Sequence, residues 1–248
     1  MARVLRDEVG IKAPILVLHD RPASTFQPIL SDRDRSDFLQ SLPVTSPSAK
    51  AIIAGSCRLL VSSTSWTPDE DFAILLDALC QYSRTASTDD PGLPSLLVII
   101  TGKGPQKDMY LSRIAALAAS GRLAKVCIET AWLAYEDYAK LLAVSSMGVC
   151  LHTSSSGVDL PMKVVDMFGA GLPVLGWDQY ESWPELVTEG VNGKGFGSSS
   201  ELACHLVDLL GKNAGQLTKL REGAIAQSKR RWDDAWDPIA GKLFQFTS

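Results

Sequence analysis

Four segments rich in hydroxyl, glycine and other polar residues each follow an apolar run of the sequence. They read Ser62-Ser63-Thr64-Ser65-Trp66, Thr101-Gly102-Lys103-Gly104-Pro105, Glu129-Thr130-Ala131-Trp132 and His152-Thr153-Ser154-Ser155-Ser156-Gly157. If the apolar runs are strands of one parallel sheet, these segments meet in a crevice beyond its carboxyl edge, where ligands bind. Hydroxyls and exposed backbone amides suit phosphate oxygens. The pattern therefore predicts a crevice for a phosphate-containing ligand.

The segment Gly102-Lys103-Gly104 has two interpretations. A glycine pair after a strand is more often a tight turn than a phosphate cradle. Position 107 is Lys, so the segment is not a dinucleotide-binding fingerprint, and it is not a Walker loop.

A glycine-bearing loop at 153–159 leads into a predicted helix that begins near Leu160 and Pro161. Proline is favoured in a first helical turn, and the positive end of the helix favours an anion. Lys163 and Asp166 are three residues apart and share a helix face. A cation beside phosphates and a carboxylate for a ribose diol would suit a nucleoside diphosphate. A solvated ion pair between these two residues explains the spacing equally well.

Strands and amphipathic helices alternate regularly from residue 55 onwards. The apolar runs predict strands at 58–62, 96–100, 125–128, 147–151 and 173–176. Helices are predicted from residue 69 and at 109–120, 136–144, 160–168, 182–189, 201–210 and 217–232. Continuous apolar strands between helices are typical of a parallel sheet covered on both faces. Residues 55–248 are therefore predicted to form one doubly wound α/β domain.

The first 54 residues do not follow this rhythm. Residues 3–9 could finish a helix, and 15–18 form a short apolar run that predicts a strand. Four prolines and many polar residues in 22–54 indicate a linker with one short helix at 34–42.

Composition excludes several classes of protein. With 248 residues, 46% of them hydrophobic and 21% charged, the chain is not disordered. A net charge of −4 argues against nucleic acid as a partner. No signal peptide or membrane-length apolar run is present. The five cysteines lack a C-x-x-C pair, and two of them, Cys127 and Cys150, lie in apolar runs, so free buried thiols are expected rather than disulfides. The three histidines are too far apart in sequence to predict a zinc site.

Several motifs resemble one enzyme family. The second half of the chain is similar to the nucleotide-sugar-binding domain of GT-B glycosyltransferases. Within that group, it resembles the eukaryotic β-mannosyltransferases that add the first mannose to the dolichol-linked core of N-glycans. The motifs are LLVSSTSWTPDEDF at 59–72, ITGKGP at 100–105, GVCLHTSSSGVDLPMKVVDMFG at 148–169 and RWDDAW at 231–236. The resemblance implies a Rossmann-like C-terminal donor domain at 55–248, a linker at 22–54, and a remnant of the N-terminal acceptor domain at 1–21.

The resemblance also implies an activity and partners. Such enzymes transfer mannose from GDP-mannose to chitobiosyl diphosphodolichol, inverting the sugar to a β1,4 linkage, without a cofactor or metal. They work at the cytosolic face of the endoplasmic reticulum and could associate with other glycosyltransferases of their pathway. This chain alone is expected to be soluble and cytoplasmic, and inactive. A truncated, non-catalytic module that binds a nucleotide sugar or another protein is the alternative.

Site roles follow from the same resemblance. Gly102, Lys103, Gly104, Pro161, Met162 and Lys163 would surround the diphosphate, and Asp166 would hold the ribose diol. Trp132 would border guanine, although a Trp after a strand is more often core. Related transferases carry a glutamate at the position of Val158, and Asp159 would take over part of its role. His152 would touch the donor sugar or pack, and Ser63, Thr64, Ser65 and Ser155 would complete the donor site. No catalytic residue is assigned, because the base would lie in the acceptor domain.

Overall fold

A computed structural model describes residues 2–153, 157–211 and 213–244 of the chain. The described residues contain one six-stranded sheet whose paired strands are all parallel. The strands are β1 (Cys57–Ser63), β2 (Ser95–Thr101), β3 (Val126–Ala131), β4 (Met147–Cys150), β5 (Val174–Trp177) and β6 (Gly193–Phe196). This confirms the predicted doubly wound α/β fold.

The strand order is β3-β2-β1-β4-β5-β6. The chain first builds outwards from β1 to β3, then crosses over and builds from β4 to β6 on the other side of β1. The two halves of the sheet meet where β1 pairs with β4. Such a reversal point opens a crevice at the carboxyl ends of the strands, which is where open α/β sheets bind ligands.

Helices cover both faces of the sheet. They are α1 (Ala2–Asp7), α2 (Asp32–Ser41), α3 (Ala49–Ile53), α4 (Phe72–Thr88), α5 (Lys107–Ala119), α6 (Tyr135–Val144), α7 (Met162–Gly169), α8 (Trp183–Leu186), α9 (Ser199–Leu210), α10 (Ala214–Ser228) and α11 (Trp232–Trp236). Successive residues of β1 enter opposite cores, because side chains alternate along a strand. Leu60 packs in the core with α4, α5 and α9, whereas Leu59 and Val61 pack in the core with α2, α3, α6 and α7. Because both faces of the strand are buried, apolar residues are needed at successive positions, which explains the continuous apolar runs in the sequence.

The structure corrects four expectations about individual elements. Residues 15–18 are not a strand; Leu16 and Val17 are 57% and 46% exposed, since no neighbouring strand pairs with them. Strand β6 was missed because Gly193-Lys194-Gly195-Phe196 is not an apolar run, although it pairs in parallel with β5. The helix predicted at 217–232 is divided into α10 and α11, and the one predicted at 182–189 is only the four-residue α8.

Residues 22–54 differ from the predicted linker. They contain α2 and α3, and they bury Phe26, Leu39 and Ile52 in the same core as β1. Arg231 donates hydrogen bonds to the backbone oxygens of Ala23 and Phe26 at 3.3 and 3.0 Å. The prolines of this segment therefore shape a packed layer and do not mark a free connection.

The cysteine prediction was right about pairing and partly wrong about burial. All five cysteines are free, and Cys57, Cys80 and Cys150 are buried, but Cys127 and Cys204 are exposed. Cys127 lies on β3 at the edge of the sheet, where one face of the strand reaches solvent. In the part of the chain that the structure describes, no helix combines the length and the apolar composition needed to cross a membrane.

Candidate functional site

A cavity of about 450 Å³ opens at the carboxyl ends of β1, β2 and β3, between these strands and helices α6 and α7. We call it the crevice. It is lined by Ser63, Thr64, Thr101, Gly102, Trp132, Leu133, Tyr135, Tyr138 and Lys163. Five of the residues predicted from the sequence therefore come together here: Ser63, Thr64, Gly102, Trp132 and Lys163.

The two glycines of the β2–α5 loop lie against the β1–α4 loop. A Cβ atom on Gly102 would stand 1.8 Å from the Thr64 carbonyl oxygen, and one on Gly104 would stand 1.7 Å from that of Ser65. Gly102 also has a φ of +134°, which L side chains rarely adopt. Both glycines are therefore needed for close backbone approach, and Gly102 places its backbone in the crevice wall.

Replacing Gly104 by Ala is expected to lower the free energy of unfolding by about 1–3 kcal/mol, because one of the two loops must move. The measurement is the urea midpoint of purified variants. Gly215→Ala is the matched control: a Cβ there meets nothing within 4 Å, so a neutral or slightly stabilising effect is expected. A Gly104→Ala variant as stable as the parent would contradict the close approach.

Glu70, in the β1–α4 loop, organises one side of the crevice and was missed as a site residue. In the sequence it is the middle one of three consecutive acids, Asp69-Glu70-Asp71, of which Asp71 caps α4, whereas Glu70 is 3% exposed. One carboxylate oxygen of Glu70 accepts hydrogen bonds from the Thr64 hydroxyl (2.5 Å) and the Ser65 backbone N–H (2.8 Å). The other oxygen accepts from the Lys163 ammonium group.

Lys163 does not pair with Asp166, so the alternative of a solvated ion pair between them is wrong for the described structure. Its partner is Glu70, which comes 93 residues earlier in the chain. The Lys163 side chain is 27% exposed and remains part of the crevice wall. Sequence spacing on one helix could not reveal a partner that only the fold brings near.

Asp166 lies one turn further along α7, beside the tyrosines of α6. Burial raises its pKa from 3.8 to about 6. Burial also raises the pKa of both Tyr135 and Tyr138, and the nearby Asp166 charge adds to the effect. The Tyr138 hydroxyl shares a 2.8 Å hydrogen bond with the Ser63 hydroxyl. A partly buried carboxylate with a raised pKa next to a cavity is typical of a functional site.

Trp132 stands at the mouth of the crevice and is 66% exposed, so it is not a core residue. The Lys103 ammonium group lies 4.1 Å from the centroid of its ring, within the range of a cation–π contact. The structure thus brings together the cation of the Gly-Lys-Gly segment and an open aromatic face.

His152 and Asp159 form a second pair beside the α7 end. The His152 Nε2 atom lies 2.7 Å from a carboxylate oxygen of Asp159. The His152 ring also packs edge-on against Tyr180, and the Ser182 hydroxyl donates to the Asp159 carbonyl. Both predicted residues are therefore engaged with the protein, whereas Ser155 lies outside the described residues.

The remaining predicted residues lie at the edges of this region. Pro161 is the N-cap of α7, so the helix begins at Met162, two residues later than expected. Met162 is 45% exposed, and the backbone N–H groups of a first helical turn point towards the N-terminal end of the helix. The positive end of α7 therefore lies next to Lys163.

Together, these features define a class of fold: it is that of the Rossmann-like domain of GT-B glycosyltransferases. A glycosyltransferase from Rickettsia africae superimposes with a TM-score of 0.63 at 13% identity, covering 99% of this chain and 59% of that one. The Anabaena protein HepE, solved in complex with UDP, superimposes with a TM-score of 0.67 at 21% identity, covering 93% of this chain and 57% of that one.

The sequence is similar to a group of curated proteins that share one name. The chain is 65% identical over 243 residues to the chitobiosyldiphosphodolichol β-mannosyltransferase of Arthroderma benhamiae, covering 97% of this chain and 54% of the relative. Further relatives share that name. By sequence the chain is similar to these β-mannosyltransferases, and it spans about half the length of the curated relatives that it matches. No protein-family model matches it.

Proposed function

We propose that the crevice binds the GDP part of GDP-mannose. In this proposal the chain is the donor-binding part of an enzyme that transfers mannose to dolichol-linked chitobiose with inversion. The main support is the meeting of Lys163, Trp132, Thr64 and Gly102 in one cavity at the reversal point of the sheet. The names of the homologues supply the sugar and the acceptor.

The diphosphate would lie between Lys163 and the start of α7. The ammonium group and the positive helix end both favour an anion there. Thr64 and Gly102 line the same space. Charge on the diphosphate grows as the bond to the sugar breaks, so these groups stabilise the leaving GDP more than the bound donor.

The nucleoside would extend from the diphosphate towards α6 and the β3 end. The Asp166 carboxylate would accept hydrogen bonds from the ribose diol, and Trp132 offers an open ring on which a base can stack. Lys103 over that ring would shift towards the phosphates or cover the base.

The transfer would be a single displacement. An acceptor hydroxyl of chitobiose attacks C1 of mannose, the bond from C1 to the phosphate oxygen breaks, and GDP leaves with the electron pair. The acceptor proton passes to a base, which we place outside the described crevice, in the acceptor-binding part of the enzyme. Such an enzyme would work at the cytosolic face of the endoplasmic reticulum, where the dolichol-linked acceptor would be presented.

Calorimetric titration of the chain with GDP, GDP-mannose, UDP and UDP-N-acetylglucosamine tests the donor. Heat is expected with the two guanine ligands, and GDP is expected to raise the melting temperature because it binds the native state only. The absence of binding heat with GDP up to millimolar concentration would contradict the proposal. Tighter binding of UDP than of GDP would show that the nucleobase of the donor is uracil and not guanine. With GDP-mannose and a short-chain chitobiosyl diphospholipid, the chain alone is expected to give no product, because the base is placed in the acceptor-binding part of the enzyme; turnover by the chain would contradict that placement.

A further inference from the structure

The β1–α4 loop buries a carboxylate beside the proposed phosphate site. Glu70 is 3% exposed, and an ionised carboxylate is costly to bury unless each oxygen has a partner. Its partners come from two distant parts of the chain: Thr64 and Ser65 at the end of β1, and Lys163 on α7. The Glu70 carboxylate thus links the two halves of the sheet directly at the crevice, beside the backbone bridge between Glu70 and His152.

Glu70 does not line the crevice, but two of its three partners do. Thr64 and Lys163 both belong to the wall, and the Glu70 carboxylate lies behind them. The Thr64 hydroxyl oxygen also accepts a hydrogen bond from the Trp66 N–H at 2.7 Å, so its proton is directed at Glu70. Any effect of Glu70 on a ligand must therefore act through the groups it holds.

We propose that Glu70 is the positioning residue of the crevice: it holds the Lys163 ammonium group where it meets the diphosphate and fixes the Thr64–Ser65 turn opposite. This inference rests on the proposed function. A lysine side chain is long and flexible, and holding it before the ligand arrives lowers the ordering cost of binding. The ammonium group has three protons, so one can stay with Glu70 while the others reach phosphate oxygens.

A carboxylate beside a lysine can either position the lysine or neutralise it, and the two roles predict opposite changes in phosphate affinity when the carboxylate loses its charge. If Glu70 mainly neutralised Lys163, its carboxylate would compete with phosphate, and removing its charge would strengthen binding. The division of contacts favours positioning: one oxygen already serves Thr64 and Ser65, so the carboxylate cannot move with the ligand without breaking the turn.

Glu70→Gln is the informative variant. The Gln carbonyl oxygen can still accept from Thr64 and Ser65, whereas its amide group meets Lys163 donor to donor. The expected result is a roughly tenfold weaker affinity for GDP, with unchanged affinity for guanosine, which has no phosphates. In a Lys163→Met background the same change should cost nothing further, because Glu70 acts through Lys163.

Asp69→Asn is the matched control, since Asp69 is the exposed carboxylate next to Glu70 in the same loop. It should leave GDP and guanosine affinity unaltered. Tighter or equal GDP binding by Glu70→Gln would overturn the proposal. Equal losses of affinity for GDP and for guanosine, together with a lower urea midpoint, would also overturn it, because they would indicate that the variant is destabilised as a whole.

Inorganic pyrophosphate separates this inference from the proposed donor. If the parent chain binds pyrophosphate but not GDP, and Glu70→Gln weakens pyrophosphate about tenfold, the nucleotide proposal falls and the positioning role stands. If GDP binds and Glu70→Gln changes nothing, only the positioning role falls. Binding of neither probe would overturn both.

Discussion

Lys163→Met is expected to weaken GDP binding by about ten- to a hundredfold and to destabilise the fold at the same time. The loss of affinity follows from removing one charge-assisted contact to the diphosphate, worth about 1.5–3 kcal/mol. The loss of stability follows from the Glu70 contact: the buried carboxylate would lose its cation, which costs about 2–3 kcal/mol. On sequence spacing alone, Lys163 would have been a surface residue whose replacement leaves stability almost unchanged.

The two effects can be separated with the double variant Lys163→Met, Glu70→Gln. Removing both charges should restore most of the urea midpoint but none of the GDP affinity, because no buried charge is left unpaired while the phosphate contact is still missing. Lys140→Met, an exposed lysine on α6, is the control and should change neither quantity. A Lys163→Met variant with the parent affinity for GDP would remove Lys163 from the proposed site.

Asp166→Asn is expected to weaken GDP binding about tenfold but to stabilise the fold at neutral pH. The folded-state pKa of Asp166, about 6, is raised above 3.8 by burial, so the native state binds the proton more tightly than the unfolded chain. Stability therefore falls as pH rises from about 4 to about 6, and the ionised carboxylate remains a penalty above pH 6. Solvent still reaches the side chain and reduces the penalty. We therefore expect Asp166→Asn to raise the free energy of unfolding by about 1–2 kcal/mol at pH 7.5.

The check is a pair of urea titrations at pH 4 and pH 7.5, with calorimetry of GDP and pyrophosphate. The stability gain should shrink towards pH 4, and pyrophosphate affinity should stay unchanged because the proposed contact is to the ribose. Asp37→Asn, an exposed residue of α2, is the control for removing a surface charge. A gain that is the same at both pH values, or unaltered GDP affinity, would contradict the assignment.

Much of the fold could be predicted because its strands are buried on both faces. The runs that became β1, β2 and β4 have no polar face, and each is followed by an amphipathic helix, so periodicity was enough. Strand β6 escaped because two of its four residues are glycines, while residues 15–18 looked like a strand but have no neighbour to pair with. The pattern of residues within one segment does not show whether another strand lies beside it to pair with.

The candidate site was predictable where it depends on strand ends and not where it depends on long-range contacts. Gly102 and Trp132 follow from the rule that polar strand ends share one edge of a sheet, and Lys163 follows from its place near the start of the predicted helix. Glu70 could not be found this way: among acids before a helix, only tertiary packing separates the buried residue from its exposed neighbour Asp69. The partner of Lys163 could not be found for the same reason.

The position of β1 in the middle of the sheet has a consequence for how the chain folds. Strand β1 pairs with β2 early in the sequence, but its other edge stays open until β4 has been synthesised, more than 80 residues later. An open, apolar strand edge invites pairing with other chains. The contact between Lys163 and Glu70 closes a loop of 93 residues, so the crevice can form only after both halves of the sheet have docked. A ligand of the crevice would therefore bind only the finished domain, and it would have no site during the earlier steps of folding.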